Sequence, residues 1–217
     1  MLNNGAIAKD SLKYVQRDSY SYRWMPTLSY LQLRPIDFAP EHNMDYRVKG
    51  LGRSTMRGGY PYYLPIGWYR HGLKVDGKYP DDDNWLGSEN LPGEWPVAFH
   101  GTHTNAASSF TQNGLFVSAD ETDVAREEAI QQMGSAVDRP GIYLTTHCDG
   151  GAHPMYTQTY RLPLIDGKRR QFLLVFMCRV APGQFTTHES VVPLGSARRV
   201  VDANAVRPYG ILVKDDD

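Results

Sequence analysis

Glu94-Trp95-Pro96-Val97-Ala98-Phe99-His100-Gly101-Thr102 is the stretch on which the reading of this chain turns. Three successive apolar residues between Pro96 and the pair His100-Gly101 make a short buried strand over 96–100, and Gly101 and Thr102 turn out of it. Downstream, Asn105 to Gln112 is helix-like and is closed by Asn113 and Gly114. Asp120 or Thr122 can cap a further helix running through Ala125, Ala129, Ile130 and Met133 to Gly134. Strands are expected at Gly141 to Thr145, Phe172 to Val180, Arg199 to Val201 and Gly210 to Val213, with Pro208 near a strand start. A short helix is expected within Ala152 to Tyr160, with Pro154 tolerated in its first turn.

Upstream, residues 57–96 are dense in glycine, proline and aromatic side chains, which favours short strands and tight turns. The acidic run Asp81-Asp82-Asp83 reads as a solvated loop. Residues 1–56 are rich in Tyr, Arg, Asn and Asp, and Pro26, Pro35 and Pro40 interrupt any long helix. We read 1–56 as an N-terminal appendage and 57–217 as the main domain, of α+β class. The appendage aromatics Tyr14, Tyr20, Tyr22, Trp24 and Tyr30 either pack on that domain or form a docking surface for an acceptor protein; packing is the commoner fate of such residues.

Composition narrows the function classes. The chain has 217 residues, 41% hydrophobic and 22% charged, with a formal net charge of −1, so no global attraction to nucleic acid is expected. The longest apolar stretch is of strand length, no membrane segment is expected, and the first twelve residues lack the apolar core of a signal peptide. Two cysteines, Cys148 and Cys178, make no disulfide framework. Seven histidines raise the question of a metal. No His pair sits at helical spacing around a glutamate and there is no Cys-x-x-Cys, so none of His100, His103, His147, His153 and His188 is assigned as a ligand and no metal is expected. Gly150-Gly151 lacks the Walker lysine and the spaced Rossmann glycines.

One constellation is more specific. His100-Gly101-Thr102 at a strand end is followed by Gly141-Ile142-Tyr143-Leu144 and then by Tyr156. This combination resembles the poly(ADP-ribose)-polymerase-like branch of the ADP-ribosyltransferases. The likeness runs from about Gly67 to Lys214. Gly67-Trp68-Tyr69-Arg70, Leu73-Lys74-Val75, Trp85-Leu86, the stretch Glu94 to Thr102 and Val206-Arg207-Pro208-Tyr209-Gly210-Ile211 are similar to a CteC-like subgroup of effectors that modify ubiquitin on a threonine. The resemblance implies two packed small β-sheets with flanking short helices, NAD+ as co-substrate, no metal, and ubiquitin as protein acceptor. His100 would bond a ribose hydroxyl, Gly101 would admit the nicotinamide amide, Thr102 would brace the turn, and Tyr143 and Tyr156 would sandwich the nicotinamide. A monomer is expected, acting in a host cytosol as a secreted bacterial effector or residing in a microbial cytoplasm.

The resemblance also implies a catalytic glutamate at the start of the penultimate strand, and the slot aligned on Asp202 and Val206 holds Ala197. Alanine can neither polarise a hydroxyl nor stabilise a cation. Three accounts stand: Glu189 reaches in as the alternative carboxylate, the chain is a natural pseudoenzyme, or an introduced glutamate-to-alanine exchange has silenced it, which is the account we favour. The rival functions are a catalytically dead module that binds ubiquitin or ADP-ribose, and a metal-dependent hydrolase built on the histidines.

Overall fold

The computed structural model describes residues 33–101, 123–163 and 169–215. Its organising element is the strand Arg169–Val180, in which Phe172, Leu174, Val175, Phe176, Cys178 and Val180 are wholly buried. Apolar residues at successive positions mean that both faces are covered, as suits the middle of a sheet. In chain order the strands are β1 (Met44–Asp45), β2 (Ser54–Arg57), β3 (Tyr60–Tyr63), β4 (Tyr69–Gly72), β5 (Val97–Gly101), β6 (Ile142–Thr145), β7 (Tyr160–Pro163), β8 (Arg169–Val180), β9 (Thr186–His188), β10 (Ala197–Val200) and β11 (Val206–Asp215). Two α-helices are described, α1 (Asp123–Met133) and α2 (Cys148–Gly151). The class is α+β, and the strand pairings are antiparallel.

Two packed small sheets were expected; the described strands instead form one nine-stranded sheet and the separate β2–β3 hairpin. The order is β1-β4-β11-β8-β5-β6-β10-β9, with β7 also on β8. The length of β8 explains the difference. One of its edges pairs with β11 from Phe172 to Val180. The other is shared: β7 takes residues 169–172 and β5 takes 175–179. The sheet therefore forks along a single strand.

Residues 33–56 join this fold where they are described. Leu33, Ala39 and Tyr46 are buried, and β1 pairs with β4. A boundary drawn after Met56 falls inside the β2–β3 hairpin, whose two-residue turn is Gly58-Gly59 at φ 57° and 78°. That is the backbone of a type I′ turn, and a Cβ on Gly58 would stand 2.5 Å from the Glu94 carbonyl oxygen.

Arg207, Glu94 and Pro208 have places in the frame of the sheet. Arg207 donates to both carboxylate oxygens of Asp81, at 2.7 and 2.9 Å, and its guanidinium lies 4.1 Å from the Trp95 ring centroid, 4.5 Å from Tyr79 and 5.0 Å from Trp85. The acidic run is thus partly structural: Asp81 pairs with Arg207, and Asp82 accepts from the Asn84 amide to start a 3-10 turn. Glu94 turns inward and accepts from the Glu89 and Leu91 amides, both at 2.8 Å. Pro208 lies inside β11, next to a break in register before Gly210, a place where the missing N–H is tolerated.

The expected helix from Ala125 to Met133 is α1, and the strand at Gly141 to Thr145 is β6. The helix expected within 152–160 is corrected. The helical turn lies earlier, at α2, where the His147 side chain accepts from the Asp149 amide and caps it. The Cβ atoms that Gly150 and Gly151 lack would press on Thr145, Phe99 and Val175, so this glycine pair lets α2 lie flat on the sheet. The stretch 105–114, including its helix-like segment, and Thr102 lie outside the described residues. Among the described residues, no helix is long and apolar enough to cross a membrane.

Candidate functional site

The candidate site is built around the last described residues of β5, His100 and Gly101, beside β8. Among the described residues, the last β5–β8 pair is Gly101↔Val175, and the next pairing on that edge is Tyr160↔Phe172 of β7. At this break the chain between α2 and β7 passes close by, and Thr157 Oγ1 donates to the Leu174 carbonyl at 3.5 Å.

Strands β5 and β6 lie side by side through Phe99↔Thr145. Counting along that register, Gly101 comes level with Tyr143, on the face shared with Thr145. Alternation gives His100 the opposite facing, and its ring meets this corner by bonding the Tyr143 carbonyl, Nδ1 to O at 2.9 Å. A carbonyl only accepts, so Nδ1 carries the proton and Nε2 is the acceptor nitrogen of the neutral ring. Burial pushes the His100 imidazole below its ordinary range, and the Tyr143 carbonyl offsets only part of that shift.

Gly101 has a packing reason to be glycine. A Cβ there would collide with the Gly151 carbonyl and lie 2.9 Å from the Tyr156 Cβ. The space is filled by α2 and by the turn carrying Tyr156, so the structure brings Gly101 and Tyr156 together at one strand end. Tyr143 and Tyr156 are both half-buried, and burial pushes the Tyr156 phenol up.

Ala197 begins β10, the penultimate strand, and is only 3% exposed. It pairs with Thr145 of β6 on one side and with His188 of β9 on the other. Beyond it the link is locked by two reciprocal bonds, Thr146 N to the Ser196 carbonyl and Ser196 N to Thr146 Oγ1, both 2.8 Å. Ala197, His188, Thr145 and Tyr143 therefore share one face, and the Tyr143 and His188 ring centroids are 6.5 Å apart. Glu189 is exposed, one residue past the end of β9. The same face carries a carboxylate the sequence did not reveal: Glu128 of α1, whose Oε2 is 2.8 Å from His188 Nδ1. Sixty residues separate that pair, and no local pattern announces it.

His147, Cys148 and Asp149 bring three ligand-type atoms within 4.8 Å of one another. These are consecutive residues of the α2 turn, in which His147 serves as the cap. The Cys148 thiol is pushed up by burial and by the neighbouring Asp149 carboxylate, which works against the thiolate a soft metal or a nucleophile requires.

No protein-family model matches the chain, and a search of curated proteins finds no match either. The geometry of this corner therefore carries the functional reading.

Proposed function

We propose that this chain is an NAD-dependent mono-ADP-ribosyltransferase of the PARP-like kind, acting on a protein hydroxyl, with a threonine of ubiquitin as the acceptor its sequence resemblance favours. The observation that supports this best is the junction of β5 and β6, where the His100 bond to the Tyr143 carbonyl sets the imidazole tautomer and Gly101 lies against the turn carrying half-buried Tyr156. In this reading His100 Nε2 accepts from a ribose hydroxyl, the Gly101 backbone meets the nicotinamide amide, and the Tyr143 and Tyr156 rings flank the nicotinamide. Transfer breaks the bond between nicotinamide and ribose C1′, and the leaving nicotinamide takes the electron pair. The acceptor oxygen then bonds to C1′. The cation-like ribose calls for nearby negative charge, which the Ala197 methyl does not supply.

The chain should therefore bind NAD and transfer slowly. Replacing Ala197 is the direct test. A197E is expected to raise ADP-ribosylation of an added acceptor by about a hundredfold, read by mass spectrometry, while A197Q, of equal bulk and no charge, does not. No transfer by either the parent or A197E, in a protein that binds NAD, would leave the second reading, a catalytically dead module that binds ADP-ribose or ubiquitin, which the alanine at this slot favours.

A further inference from the structure

Beside the Ala197 methyl stands the His188 ring, and beyond it a carboxylate from another element. We propose that Glu128, held by His188, is the working carboxylate of this site and takes the proton of the acceptor hydroxyl. This role rests on the ADP-ribosyl-transfer reading and goes beyond it by naming a group outside the strand where the carboxylate was expected.

The argument is geometric. Helix α1 is tied to β9 by an uncharged clamp: Gln132 Nε2 donates to the Thr187 carbonyl at 2.7 Å, and its Oε1 accepts from the Thr187 amide at 2.8 Å. Glu128 lies one turn earlier on the same face of the helix. Its Oε2 accepts from His188 Nδ1 at 2.8 Å, while His188 Nε2 is 2.8 Å from Thr186 Oγ1. With both nitrogens engaged the ring is fixed in orientation. The His188 side chain is 6% exposed and that of Glu128 is 52% exposed, so the carboxylate is anchored from the protein side and open on the other. His188 is the cross-strand partner of Ala197 and a ring neighbour of Tyr143, which puts the anchored carboxylate at the corner where the nicotinamide–ribose bond would lie. Arg199, on the same sheet face, directs its guanidinium to the Val137 and Arg139 carbonyls.

In the proposed step the C1′–nitrogen bond breaks with its electron pair going to nicotinamide, the acceptor oxygen bonds to C1′, and the hydroxyl proton passes to the outward oxygen of Glu128 and then to solvent. His188 is a positioning residue. Water can stand in as acceptor, so nicotinamide release from NAD by the full chain alone reads the step.

The parent chain is expected to release nicotinamide slowly. E128Q, which keeps an oxygen for His188 to bond, should lower kcat roughly a hundredfold with KM for NAD and the melting temperature little changed; E128D should recover part of the rate. Parent and E128Q turning over alike would overturn this role and leave the transferase reading standing. So would a parent that binds NAD yet releases no nicotinamide. Q132A, which loosens the helix and keeps the carboxylate, separates chemistry from anchoring: an equal loss of kcat in Q132A and E128Q would make Glu128 a structural clamp and overturn the proposal. A parent that binds no NAD would remove the transferase reading and this role together.

Discussion

Arg207 on β11 and His100 on β5 are buried polar side chains on opposite sides of β8, and they are held in different ways. Arg207 has a two-pronged ion pair with Asp81 and lies against the rings of Trp95, Tyr79 and Trp85. Each contact restates the position set by the others. His100 is set by a directional bond to the Tyr143 carbonyl that fixes which nitrogen carries the proton. The first arrangement holds a frame rigid. The second sets the orientation and tautomer of a single ring. A single string of residues can thus contain both kinds, and in Glu94 to Thr102 the division falls inside the stretch itself: Glu94 and Trp95 brace loops, and His100 and Gly101 lie at the end of the described strand.

The largest effect should come from the frame. Arg207→Ala removes the ion pair and three ring contacts from a side chain that is 8% exposed, and is expected to cost about 4 kcal/mol in urea unfolding. R207K should recover less than half, because an ammonium lacks the planar fork. A loss under about 1 kcal/mol would erase the contrast between the two halves.

His71 of β4 sharpens the comparison through pH. It is 4% exposed, packs edge-on against Tyr69 at 4.9 Å between centroids, and its Nε2 has no hydrogen-bond partner among the described residues. Burial alone pushes its pKa down to about 4. An unfolded chain binds the proton near pH 6.5, and the native state refuses it until about pH 4, so stability is full above 6.5 and falls as pH drops through that window. The total loss is on the order of 3 kcal/mol. Denaturant melts from pH 7.5 to 4 check this, and H71F should flatten the His71 part of the slope. An unchanged slope in H71F would place the acid sensitivity elsewhere.

The third effect is smaller in stability and specific in binding. Gly101→Ala drives a methyl into the Gly151 carbonyl and should cost about 2 kcal/mol. Because the yielding parts are α2 and the Tyr156 turn, NAD affinity measured by calorimetry on the folded variant should fall by more than the melting temperature suggests. Full NAD affinity in G101A would separate that packing from the site.

What the sequence disclosed follows from the range of its signals. β5, β6, β8 and α1 were legible because their apolar patterns and end signals are local. α2 was not, since His-Cys-Asp-Gly-Gly carries two poor helix formers, and the reason they are tolerated is contact with β5, β6 and β8. The fork at β8 was hidden because both partners read as ordinary strands and only their shared edge makes the break. At the site, His100, Gly101 and Tyr143 were legible as a motif. Glu128 and Asp81 were not, because each meets its partner only through the fold, Asp81 at a separation of 126 residues.

The clamp from Gln132 to Thr187 has one more consequence. Among the described strands β9 is the rim of the sheet, and an unsealed rim offers its peptide groups to any passing chain. A single amide side chain answers both the donor and the acceptor of the middle residue, doing for three residues what a neighbouring strand would otherwise do. The helix that brings Glu128 to the corner therefore also occupies peptide groups that a second strand could otherwise pair with.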